Sequence, residues 1–70
     1  MNVLSEMAAL AFGRPSPDAD DETVAAWYEA KARLHQHLAE QGGPESVRER
    51  AIAGKAYERS RQLRAKLEVA

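Results

Sequence analysis

The 70 residues contain no cysteine. That excludes disulfides, cysteine-ligated zinc and a thiol nucleophile. No glycine-rich phosphate loop follows a strand pattern, and no serine is paired with a positioned histidine. The two histidines, His35 and His37, are two residues apart. On a helix they point about 200° apart and cannot share one metal ion. No metal, no cofactor and no enzymatic role are therefore expected. Charge of one sign is also missing: ten Lys and Arg face eleven Asp and Glu, for a net charge of −1. A balance of that kind gives no overall field toward nucleic acid or a membrane surface. No apolar run approaches the roughly 20 residues that cross a bilayer. The opening MNVLSEMAALAF lacks the basic segment and cleavage site of a signal peptide. The expectation is a cytoplasmic chain with no membrane partner.

What the sequence does have is alanine, charge and helical periodicity. Alanine supplies 14 of the 31 residues behind the hydrophobic fraction of 44%. Large apolar side chains are few, so one small domain is expected, with marginal stability of its own. Residues 2–12 read as a short helix, with Val3, Met7 and Leu10 on one face. Gly13 is placed to end it through a left-handed cap. Residues 13–18 form a linker around Pro15 and Pro17, and Ser16 or Asp18 could cap the next helix. A long helix is expected over 18–41, a glycine turn at 42–43 and a second long helix over 44–68. Gly54 is its weak point, unless it admits a bulky neighbour.

The fold class expected is all-α: an antiparallel hairpin of two long helices, each roughly 33–38 Å long, with a short N-terminal helix. In the first long helix, Val24, Trp27, Leu34 and Leu38 make one stripe, flanked by Tyr28. This stripe is expected to face the small middle of the last helix: Ala53, Gly54, Ala56 and Ser60. One hairpin cannot cover all of its apolar flanks; the first helix could cover part of them and a second copy of the chain the rest. A homodimer forming a two-fold four-helix bundle is therefore expected, with another protein as a further partner.

Trp27, Tyr28, Lys31, Leu34, His35, Leu38 and Tyr57 are the candidate interaction seam. Lys31 and His35 interrupt it with polar groups. Lys31 has three readings. It can lay its methylenes over Trp27 and Leu34, pair with Glu49 or Glu58, or contact a ligand or partner. Trp27, Tyr28, Lys31, His35 and Tyr57 are also the one set that could line a small pocket. The alternative function is nucleic-acid binding through the basic end of the last helix, with Lys55, Arg59, Arg61, Arg64 and Lys66 as phosphate contacts. Against it, an antiparallel hairpin brings that end beside Asp18, Asp20, Asp21 and Glu22, which would neutralise it internally. The preferred reading is a non-enzymatic protein-interaction or regulatory module.

Overall fold

The computed structural model describes residues 2–69, and these are all helical outside their turns. Three helices follow one another: α1 (Val3–Phe12), α2 (Asp21–Glu40) and α3 (Ser46–Val69). The molecule is elongated, 42 × 23 × 19 Å, because α2 and α3 run antiparallel for most of its length.

Local chemistry sets each boundary. Asn2 caps α1: its side-chain oxygen accepts from the N–H of Leu4 at 2.9 Å and of Ser5 at 3.3 Å. Gly13 ends α1 by donating its N–H to the Ala9 carbonyl at 2.8 Å. Its φ is −94°, so no left-handed cap forms. Glycine is needed there for another reason: a Cβ would sit 2.8 Å from the Ala9 oxygen. Asp20, not Ser16 or Asp18, caps α2, accepting from the Thr23 N–H at 2.8 Å. Ser16 and Asp18 instead bond each other at 2.7 Å in the linker. The α2–α3 turn contains the expected glycine pair but spans residues 41–45, because α3 begins at Ser46 and not at Pro44. Gly42 and Gly43 adopt φ of 80° and 93°, the left-handed region that glycine enters without steric cost.

The hairpin seam is not the expected stripe. Ala25, Ala32 and Ala39, spaced by seven, are the buried α2 residues on the side toward α3. Ala56, Ser60 and Leu63 are their buried counterparts on α3. The cross-helix ion pairs confirm the orientation. Asp21, Glu22, Glu29 and His35 all reach α3 and bracket the alanine stripe. Alanine lets two helix backbones approach closely, which raises packing density with few large side chains. The buried Ser60 hydroxyl is satisfied within its own helix, donating to the Tyr57 carbonyl at 2.8 Å.

Trp27, Leu34 and Leu38 lie on roughly the opposite side of α2. That side is covered by α1, which packs on α2 and not on α3. The expectation that Trp27 fills the small middle of α3 is thus overturned: its indole N–H is held by α1. Gly54 has open space around it, with no atom within 4 Å of a built Cβ, so no bulky neighbour occupies that position. Central α2 is sandwiched: small residues under the long helix, large ones under the short helix.

Candidate functional site

Two polar contacts dock α1. The Trp27 indole N–H donates to the Leu10 carbonyl at 3.1 Å, near the end of α1, where carbonyls lack helical partners. Nearer the start of α1, His37 Nδ1 lies 3.0 and 2.9 Å from the two carboxylate oxygens of Glu6. A carboxylate only accepts, so Nδ1 carries the proton. His37 therefore holds α1. The short helix is tethered at both ends to its own chain.

This docking divides α1 into two faces. Val3, Glu6 and Leu10 turn inward and are partly buried. Leu4, Met7, Ala8, Ala11 and Phe12 turn outward, with Leu4 76% and Phe12 91% exposed. α1 buries no residue fully. Apolar residues on the far side of an already docked helix contribute nothing to the monomer, and they are concentrated along about 15 Å of helix.

Beside α1 lies an open hollow of about 380 Å³, lined by Leu10, Ala11, Arg14, Trp27, Lys31 and His35. It adjoins a second of about 340 Å³ that shares Arg14, Trp27 and Lys31 and adds Pro15, Ser16, Val24 and Tyr28. Arg14 Cζ lies 5.6 Å and Lys31 Nζ 5.7 Å from the Trp27 ring centroid, both within cation–π range. Tyr28 packs edge-on against Trp27 at 5.2 Å. The Lys31 ammonium itself thus lies over the Trp27 ring. The pairing with Glu49 is overturned because His35 Nδ1 already holds Glu49 Oε2 at 3.0 Å. Glu58 pairs with Arg61 at 3.5 Å.

Of the seam residues, Trp27, Tyr28, Lys31 and His35 do gather around these hollows. Leu34 is buried and Leu38 partly buried on the α1 side. Tyr57 does not join them. It is 54% exposed, in a groove between α2 and α3 with Glu29, Ala32, Arg33, Gln36, Arg50, Ala53 and Gly54. Sequence reasoning missed Arg14, which it placed only in a linker, and the outer face of α1. The signal for the second was present: α1 is VLSEMAALAF, apolar on nearly every side, more than one packed face requires.

The chain matches no protein-family model, no curated protein and no solved structure. Function has to be read from the site itself.

The basic end of α3 meets the acidic start of α2. Lys66 Nζ lies 3.1 Å from Asp21, and Arg64 donates to Glu22 at 2.7 Å. Arg64 Nε is 3.3 Å from Glu29 Oε2, a charge contact not aligned for a hydrogen bond. The Glu22 hydrogen bond is the main reason the Arg64 guanidinium is held even more firmly protonated than usual. Lys55 and Arg59 have no carboxylate within 4 Å among the described residues. Among the described residues no group of three or more ligating side chains could hold a metal ion, and no helix is long and apolar enough to cross a membrane.

Proposed function

We propose that this chain is a small non-enzymatic interaction module whose docking face is the outer side of α1, with a second copy of the chain as its partner. The observation that carries the reading is the exposure of Leu4, Met7 and Phe12 on a helix already fixed to α2 by its other face. Leu4, Met7, Ala8, Ala11 and Phe12 include no charged residue, so two copies meet there without like-charge repulsion. Antiparallel pairing of two α1 helices about Ala8 sets Leu4 of one copy against Phe12 of the other at both ends. The α2–α3 groove, where a hairpin-to-hairpin bundle would join, is a poorer surface for this purpose. Glu29, Arg33 and Arg50 line it, and their desolvation opposes association.

The size of the face sets the strength. A ten-residue helix covers roughly a few hundred Å², below the ~800 Å² per partner of a standard stable interface. The dimer is therefore concentration-dependent, a form suited to regulation. Sedimentation velocity from about 5 to 500 μM tests it, a range spanning weak association. The expected result is a rising sedimentation coefficient that Leu4→Glu with Phe12→Glu abolishes. A monomer throughout that range contradicts it. Phosphate contact through Lys55, Arg59, Arg61, Arg64 and Lys66 has less support, because Arg61, Arg64 and Lys66 are occupied by carboxylates.

A further inference from the structure

We infer that the paired hollows beside Trp27 form a binding site for a small dianion with a flat apolar body, such as an aromatic phosphate monoester, held between Arg14 and Lys31. Three observations converge. Arg14 and Lys31 approach one indole ring to 5.6 and 5.7 Å and line the same two hollows. Neither has a carboxylate within 4 Å among the described residues, as is also true of Arg48, Arg50, Lys55 and Arg59, but only Arg14 and Lys31 share a concavity with an aromatic ring between them. Glu49 pairs with His35 and Glu58 with Arg61, and neither reaches Lys31, so two positive charges share one concavity without a carboxylate partner.

Like charges drawn to one ring repel each other, and a bound dianion removes that repulsion while forming two charge-assisted hydrogen bonds. Arg presents a planar fork that matches a phosphate edge, and Lys adds a point charge from the next turn of α2. The walls fit an apolar body. Leu10, Ala11 and Trp27 border one hollow, Pro15, Val24 and Tyr28 the other. Volumes of about 380 and 340 Å³ lie within the range that small ligands occupy. Dimerisation through α1 is not required for this site.

Trp27 is the only tryptophan, so its fluorescence reports directly on the site. Phenyl phosphate, benzoate and phenol are titrated into the intact protein at a concentration where it is monomeric. The expected result is a saturable change, tightest for phenyl phosphate, weaker for benzoate and absent for phenol. Arg14→Gln and Lys31→Gln should each weaken phenyl phosphate about tenfold and together abolish it, while Arg14→Lys, which keeps the charge but loses the fork, should weaken it less than Arg14→Gln. Helix content by circular dichroism should be unchanged in all four variants, because Arg14 is exposed and Lys31 only half-buried. The inference is overturned by equal responses to phenol and phenyl phosphate. It is also overturned by no saturable response at ~10 mM ligand, a weak-binding ceiling, or by binding that survives the double substitution in a folded protein.

Discussion

Trp27 of α2 donates its indole N–H to the Leu10 carbonyl of α1 at 3.1 Å, and this contact decides which faces of the molecule stay open. It turns Leu10 inward and leaves Leu4, Ala8, Ala11 and Phe12 outward. Trp27→Phe removes the donor but keeps most of the ring. The expected cost is about 1 kcal/mol, concentrated in α1. Hydrogen exchange should show α1 amides losing protection while Ala25–Ala39 and the facing stretch of α3 keep theirs. Uniform loss across all three helices would mean that α1 is not a separate docking unit.

The alanine seam predicts an inverted sensitivity to size. Ala32 is 6% exposed, between α2 and α3. Ala32→Leu should destabilise by about 1–3 kcal/mol through overpacking, although it adds apolar surface. Urea denaturation measures the loss. A neutral or stabilising result would show that the seam has room, contrary to a close approach of the two backbones.

The glycines separate by position. Gly54 lies in the exposed middle of α3 with nothing near it, so Gly54→Ala should stabilise by about 1 kcal/mol. Gly42 has φ of 80°, so Gly42→Ala should destabilise by about 1–2 kcal/mol despite equally open surroundings. Thermal melts of the two variants should move in opposite directions.

Acid should weaken the start of α2. The Thr23 side-chain hydroxyl and then its backbone N–H hold the Asp20 carboxyl below its ordinary value of 3.8. Because the folded-state value is lowered, this contribution is fully present above the unfolded-state value and is lost as pH falls through the folded one. Asp18 moves the same way through Ser16. Asp20→Asn keeps a capping oxygen without the charge. Melting temperature measured from pH 5 to about 2 should therefore fall less in Asp20→Asn than in the parent protein. Parallel curves would remove Asp20 from the acid response.

Much of the fold was legible from local chemistry. The glycine pair at 42–43, the Pro15–Pro17 linker and the acidic start of α2 marked the boundaries, because capping and turn preferences act over a few residues. The pairing of α3's basic end with Asp21 and Glu22 followed once the hairpin was antiparallel. The helix faces were misassigned for a physical reason. Trp27, Leu34 and Leu38 form the stronger hydrophobic stripe, and hydrophobicity says that a stripe is covered without saying by what. Ala25, Ala32 and Ala39 look weak by that measure, yet small size is what allows the long helices to meet. The candidate site was half legible. Lys31 and His35 stood out as polar interruptions in the seam, but the position of Arg14 over Trp27 depends on the path of the linker, which local preferences do not fix.

The central claim is that the outer face of α1 exists for association. Sedimentation velocity on the intact chain and on Leu4→Glu with Phe12→Glu tests it most directly. Leu4 and Phe12 are exposed in the monomer, so the double variant should keep its helix content and melting temperature. Concentration-dependent dimers are predicted in the parent chain and monomers alone in the variant. Identical sedimentation of the two proteins, with both folded, would contradict the claim.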